Sequence, residues 1–219
     1  MKILLLACAA ASALGLACAP GVYAAQVAAT ATAQGQPVPD AVVVAVPEGG
    51  VRAADKPAQA VVDQLNKEFV PYVTAILVGS LVQFPNRDLI RHHVYSFSPA
   101  KPFELPLYVG TPANPVLFDK PGIVKLGCNI HDWMISYIYV AESPYFAKTG
   151  PDGRALLTEL PPGRYRVRVW HPRMEGSEQA TVKSLEVAAG ASAAVGWELA
   201  LKPEFRPRRA PLPGDAGYR

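Results

Sequence analysis

The stretch GCNIHDWM, residues 127–134, places three sulfur or imidazole side chains at a C-x2-H-x2-M spacing. They are Cys128, His131 and Met134. A second imidazole is available upstream, at His92 or at His93. The chain has only three Cys, four His and three Met, so it has few ways to gather this set by accident. The stretch therefore predicts a metal centre that is completed by one histidine from a distant part of the fold.

Two imidazoles, one thiolate and a weak thioether are the ligand set of a type 1 copper site. Thiolate and imidazole bind copper in both of its oxidation states, and a long axial thioether helps to set the reduction potential. Each residue alone has a plainer interpretation, because a lone Cys is often a small buried hydrophobe and Met often fills gaps in a core. Their joint spacing favours one copper ion as the cofactor.

The first 25 residues have the features of an export signal. Lys2 precedes an apolar run, Ile3–Leu16, and small residues follow the run. The run is too short for a transmembrane helix, so residues 1–25 are predicted to be a signal peptide, with no membrane span in the mature chain. Lipidation of Cys18 is the minor alternative, because Gly15 stands where a lipoprotein signal usually has a large aliphatic residue. The predicted location is periplasmic or secreted.

Removal of the signal leaves Cys128 as the one cysteine of the mature chain. A lone cysteine in an exported protein forms no internal disulfide, so it is buried and inert, reactive, or a metal ligand. The full chain has a net charge of +3 and the mature side chains +2, since Lys2 is the only charged residue of the signal. A charge this small gives no support to nucleic-acid binding.

The body of the chain has the pattern of a β-sandwich protein. Short β-branched or aromatic runs recur along it: Val42–Val46, Val73–Val82, Ile135–Val140 and Arg164–Trp170. Gly- and Pro-containing turns separate them, and 22 Pro and 17 Gly fit many turns and strand edges. One segment, Lys56–Phe69, is predicted to be helical. Its apolar face is assigned to Ala58, Val61, Val62 and Leu65.

Three motifs together resemble the cupredoxins, the family of plastocyanin and amicyanin. They are FPNRD at 84–88, HHV at 92–94 and FDKPGIVKLGCNIHDWM at 118–134. The short gap between His131 and Met134 is most similar to amicyanin, and the segment also resembles plastocyanin-like proteins of the "methylamine utilization protein" type. The resemblance covers roughly residues 60–141 and implies a Greek-key copper domain over residues 50–142.

The same resemblance implies a choice for the first ligand. Cupredoxin ligand histidines usually read His-Asn-Val, and alignment on Val94 places His92 at the ligand and His93 at the Asn. That Asn ties the two ligand loops together, and His93 is expected to do so through its ring nitrogens. His93 stays open as the alternative ligand, but neighbouring strand residues face opposite ways and only one of them reaches the metal.

Two residues of the ligand loop have two interpretations each. Asp132 stands where amicyanin-like loops have Pro, and its carboxylate either tunes the potential and the choice of partner or is simply solvated. Trp133 is expected to pack over the loop, with a place in an apolar docking rim as the alternative.

The flanks of this segment carry a second resemblance. GQPVPDAVV at 35–43 and TGPDGRALLTELPPGRY at 149–165 are similar to the opening and the middle of a carboxypeptidase regulatory-like (transthyretin-like) sandwich. Their order implies that residues 26–47 plus 143–201 form this second sandwich, with the cupredoxin domain inserted in it or next to it. Residues 202–219 are predicted to be a disordered basic tail.

These observations predict an all-β, exported type 1 copper protein that carries single electrons between redox partner proteins and is not an enzyme. The chain has four His, too few for the trinuclear cluster of a multicopper oxidase. A copper carrier or sensor with the same ligands is the first alternative. A structural module with a degenerate or zinc-filled site is the second.

Overall fold

The computed structural model describes residues 25–51 and 58–203. Apart from one 3-10 turn, Glu178–Thr181, the regular elements of this part are all strands, which confirms the all-β class. In these residues no helix is long and apolar enough to cross a membrane. The predicted signal peptide lies outside the described residues except for Ala25, which opens the first strand, and so does the predicted tail from residue 204 onward.

Two four-stranded sheets are built from the two ends of the described chain. One has the order β15-β1-β18, with β2 paired to β1. Its strands are β1 (Ala25–Ala33), β2 (Gln36–Pro37), β15 (Arg154–Leu160) and β18 (Ser192–Glu198). The other has the order β14-β3-β16-β17. Its strands are β3 (Val42–Pro47), β14 (Tyr145–Lys148), β16 (Gly163–Trp170) and β17 (Lys183–Val187). One core of buried apolar residues, including Val27, Val43 and Leu157, contains side chains of both sheets.

The middle of the chain forms three further sheets. The five-stranded sheet has the order β10-β9-β12-β13-β7. Its strands are β7 (Val73–Leu77), β9 (His92–Ser96), β10 (Phe103–Tyr108), β12 (Gly122–Gly127) and β13 (Ile135–Ala141). The three-stranded sheet has the order β11-β8-β4, and β5 pairs with β6. These strands are β4 (Gln59–Val61), β5 (Asp63–Leu65), β6 (Glu68–Val70), β8 (Ser80–Gln83) and β11 (Val116–Phe118). A second core of buried apolar residues, including Val82, Phe118 and Ile138, lies between the five-stranded and the three-stranded sheets.

The strand pairing separates the two groups of sheets. Strands of residues 59–141 pair with one another, whereas β3 pairs directly with β14 across the whole middle segment. We therefore propose two domains, residues 26–47 plus 143–201 and the inserted residues 50–142. The likeness of the outer sandwich to transthyretin-like modules stays a prediction.

The helix predicted over Lys56–Phe69 is wrong. From residue 58 onward the segment holds β4, β5 and β6, and three of the four residues assigned to its apolar face are exposed: Ala58, Val61 and Leu65. Val62 and Gln64 are buried, which gives an alternation of period two that is typical of a strand. Asn66 and Lys67 both have positive φ, 55° and 58°, as the two-residue turn of a β-hairpin requires.

An ionic network joins the two groups of sheets. Arg168, on β16, donates to Glu142 and to Glu178, each at 2.6 Å, and to the hydroxyl of Tyr139 on β13 at 3.1 Å. The Tyr139 hydroxyl also donates to Glu178, and its ring packs on Trp170 with centroids 5.6 Å apart. Burial raises the pKa of Tyr139, and the charge of Glu178 raises it further, so the phenol stays protonated. The network fixes how the two groups of sheets meet.

Arg168→Met is therefore expected to lower the free energy of unfolding by about 3 kcal/mol, because two partly buried carboxylates lose their counter-charge. Urea unfolding at neutral pH measures the loss. Arg166→Met, an exposed position on the same strand, is the control and should change stability by less than about 0.5 kcal/mol. Equal effects of the two variants would show that the network contributes no more than a surface charge.

Candidate metal centre

Three strands bring the predicted ligands to one end of the five-stranded sheet. His92 opens β9, Cys128 directly follows β12, and Met134 directly precedes β13. Strands β12 and β13 form an antiparallel pair, so the loop between them, residues 128–134, closes a hairpin. β9 joins the other side of β12. The pairing thus places the start of β9 beside this loop, as the predicted site requires.

The three strongest donors lie close together. His92 Nδ1 is 3.2 Å from His131 Nδ1, and Cys128 Sγ is 3.8 Å from the same nitrogen. One ligand atom from each of the three residues lies within 4.8 Å of the other two. His92 and Cys128 are buried, whereas His131 is half-buried and reaches the surface. The structure therefore brings three of the four predicted ligands into one cluster.

Met134 is the last residue of the same loop, directly before β13. Its side chain is buried and belongs to the same apolar core as Cys128. Its backbone N–H donates to the carbonyl of His131 at 2.9 Å, so a tight turn links the two residues. Met134 thus closes the ligand loop with its side chain in the same apolar core as Cys128.

The donor cluster fits a single metal ion. Donor atoms bound at about 2.0 to 2.3 Å to one ion lie roughly 3 to 4.5 Å apart. The 3.2 Å and 3.8 Å separations fall in this range. One thiolate and two imidazoles, with a buried methionine in the same loop, suit copper among the common metals. The residues are thus compatible with the predicted cofactor.

His93 is directed away from the cluster. Its Nε2 lies 2.8 Å from Glu104 Oε1, across the β9–β10 pair, and its ring packs on Tyr95 with centroids 5.5 Å apart. Its other ring nitrogen, Nδ1, is buried and has no hydrogen-bond partner. The hydrogen bonds between ligand loops that were expected of His93 are therefore not made, because the alternation of the strand turns its ring to the opposite face.

A different route ties the two ligand loops together. The Trp133 indole donates to the carbonyl of Lys67 at 3.0 Å, in the turn between β5 and β6. The N–H groups of Asn66 and Lys67 donate to the carboxylate of Asp88, and this carboxylate lies 2.7 Å from His92 Nε2. Asp88 lies in the FPNRD motif, but nothing in the sequence pairs it with a turn that precedes it by about twenty residues.

Asn86 holds the loop that leads into β9. Its buried side-chain amide donates to the carbonyls of Ile90 at 2.9 Å and Tyr108 at 2.7 Å, and its side-chain oxygen Oδ1 accepts from the N–H of Asp88 at 3.0 Å. These bonds fix the position of Asp88, and through the loop that of His92. Asn86 is a second residue that sequence reasoning left without a role.

The electrostatic setting favours the forms of these side chains that bind a metal. Burial lowers the pKa of His131, and the neighbouring His92 lowers it further, so the neutral imidazole is favoured. Burial would raise the pKa of Asp88, but hydrogen bonds from Lys67, His92 and Asn66 outweigh it and hold that pKa below its usual value. The site thus favours a neutral ring at His131 and an ionised carboxylate at Asp88.

The surface beside the cluster is partly apolar. Trp133 is half-buried and packs on His131, with centroids 5.1 Å apart, in agreement with the predicted packing over the loop. Asp132 is exposed. Exposed apolar side chains flank the loop and the segment before β9: Leu89, Ile90 and Ile130.

No family model and no curated protein matches the chain. Parts of the chain are similar to solved copper proteins. A copper-containing nitrite reductase from Thermus scotoductus is 28% identical, with a TM-score of 0.37, over 44% of this chain and 25% of that one. A purple cupredoxin from Nitrosopumilus maritimus is 23% identical, with a TM-score of 0.33, over 38% and 99%. A reduced mutant of amicyanin is 22% identical, with a TM-score of 0.35, over 41% and 87%.

The chain thus spans about a quarter of the nitrite reductase. Each of these similarities covers less than half of this chain, so the metal centre is inferred from its own side chains. The fold and the site define an all-β protein with a cluster of two histidines and one cysteine at the end of a sheet, of which His92 and Cys128 are buried.

Proposed function

We propose that the protein is an exported type 1 copper protein that carries single electrons between redox partner proteins. The observation that carries this proposal is the cluster of His92, Cys128 and His131, whose donor atoms lie within 4.8 Å of one another. The buried Met134, at the end of the same loop, would be the fourth, weak donor. The predicted signal peptide supports a periplasmic or secreted location.

Each ligand has a distinct part in this proposal. His92, Cys128 and His131 would hold the ion, with Met134 as a fourth, weaker donor. Copper, when bound, supplies one-electron chemistry between Cu(I) and Cu(II). The protein contributes rigidity, since strand ends and a tight turn fix the donors and little has to rearrange between the two states. Burial of His92, Cys128 and Met134 keeps water away from three of the four positions.

His131 is the proposed exit path for the electron because it is the half-buried ligand and lies nearest to the surface. The exposed Ile130 and the half-buried Trp133 beside it form an apolar margin. Brief encounters between redox proteins use small interfaces, below about 1,200 Å². A margin of this kind suits a partner that binds, exchanges one electron and leaves.

Electrochemistry of the copper-loaded protein tests the proposal. The expected result is a reversible Cu(II)/Cu(I) wave, fast self-exchange, and no steady turnover of oxygen, peroxide, nitrite or amines by the protein alone. Catalytic turnover of any of these would instead indicate an enzyme. Ready release of copper to a chelator would favour a copper carrier, and tight binding of zinc with no coloured copper form would favour a structural site.

A further inference from the structure

The carboxylate of Asp88 is fully engaged although it lies in a loop. Its side chain is only 13% exposed. One oxygen, Oδ1, accepts from the N–H of Asn66 at 2.7 Å, and the other, Oδ2, accepts from the N–H of Lys67 at 2.8 Å and lies 2.7 Å from His92 Nε2. The Asp88 N–H itself donates to Asn86. A carboxylate on an exposed loop is usually hydrogen-bonded to water. Asp88 is instead hydrogen-bonded to protein groups through both oxygens, which indicates that its position is fixed by the fold.

An ionised carboxylate only accepts hydrogen bonds, so the contact with Asp88 places the ring proton of neutral His92 on Nε2. Nδ1 then carries a lone pair, and Nδ1 is the atom that faces His131 Nδ1 at 3.2 Å. Without the carboxylate, the proton is free to move to Nδ1 and to bond His131, which removes the lone pair from the cluster. Asp88 thus selects the tautomer of His92 that binds a metal.

The same carboxylate links the two ligand loops. Lys67 donates its N–H to Asp88 and accepts the indole N–H of Trp133 with its carbonyl, at 3.0 Å. Trp133 in turn packs on the ring of His131. A continuous path therefore runs from the buried ligand through Asp88 and a hairpin turn to the loop of the half-buried ligand.

We propose that Asp88 is a positioning residue that acts through His92: it fixes the Nε2–H tautomer, holds the two ligand loops in register, and stabilises the oxidised form of the bound ion. This inference rests on the proposed copper function. The last effect follows from charge, because a carboxylate hydrogen-bonded to a ligand raises the basicity of that ligand and favours the more positive ion.

The test compares Asp88→Asn with Asp132→Asn. Both changes replace a carboxylate by an isosteric amide near the site, but Asp132 is exposed and directly follows a ligand, whereas Asp88 is enclosed behind one. In Asp88→Asn we expect Cu(II) affinity to fall about ten- to a hundredfold and the reduction potential to rise. Asp132→Asn should change both by much less. Equal effects would show that only the lost charge matters and would overturn the positioning role.

Nitrogen NMR of the metal-free protein gives a readout that needs no copper. Wild-type His92 should show the Nε2–H tautomer, and Asp88→Ala, which removes the acceptor, should shift it toward Nδ1–H, while Asp132→Ala leaves it unchanged. A wild-type His92 with its proton on Nδ1 would overturn the proposal even if the Asp88 variant fails to fold. Wild-type protein that forms no coloured copper centre, but shows Nε2–H, would contradict the copper function and not the role of Asp88.

Discussion

Cys128→Ser is expected to abolish the intense visible absorption of the Cu(II)-loaded protein. That absorption arises from charge transfer between a thiolate and Cu(II), and Cys128 is the one cysteine outside the predicted signal peptide. A serine hydroxyl is a much harder and less basic donor, so it cannot replace the thiolate at a copper site. Spectra of the two proteins, recorded after equal loading with Cu(II), measure the effect.

Met134→Leu is the matched control for this experiment. It replaces a neighbouring proposed ligand by a side chain of similar volume and leaves the thiolate in place. It should keep an intense band. Intense colour that survives in Cys128→Ser would contradict the assignment of the thiolate. Loss of colour in both variants, with both folded, would indicate that the loop tolerates no change and that Cys128 has not been tested separately from its neighbours.

The local part of the site was predictable from the sequence. The C-x2-H-x2-M spacing places Cys128, His131 and Met134 in a single short loop. Because this loop connects the two strands of a β-hairpin, its residues stay close together at one end of the sheet. Strand alternation also predicted that only one of His92 and His93 reaches the cluster. These inferences needed only the geometry of one loop and one strand.

The remaining features depend on contacts between distant segments. The contact of Asp88 with the turn at Asn66 and Lys67 has no spacing rule, since it arises only when β5–β6 packs beside the loop before β9. The wrong helix has a related cause. Apolar residues near Val62 fit a helical period by chance, and the pairing of β4 with β8 and of β5 with β6 decided the local structure instead.

The two four-stranded sheets also combine features that the sequence predicts with features that it does not. The order of the Gly- and Pro-rich motifs predicted that the two ends of the chain associate around the middle segment. This division into domains stays a proposal, which the pairing of β3 with β14 supports. The parallel pairing of β1 with β18 carries no such signal, because more than 150 residues separate the two strands and neither has a distinctive motif. Which strands are neighbours was therefore known only from the structure.

His92→Ala and His93→Ala are expected to have very different effects on the copper site, although the two residues are adjacent. His92 is completely buried, and its Nδ1 faces His131, so its removal deletes a donor and leaves Asp88 without its ring partner. The variant should lose the intense type 1 spectrum. His93 faces Glu104 and Tyr95, and its removal leaves the donor cluster intact.

His93→Ala should therefore keep the intense band with at most a small shift, and should lower the free energy of unfolding by on the order of 1 kcal/mol through lost packing. Visible spectra after copper loading and urea unfolding of both variants give the comparison. Because each variant removes the same side chain from the same strand, a general loosening of β9 would affect both alike. The reverse result, colour kept in His92→Ala and lost in His93→Ala, would move the ligand to His93 and require β9 to be shifted by one residue against its neighbours.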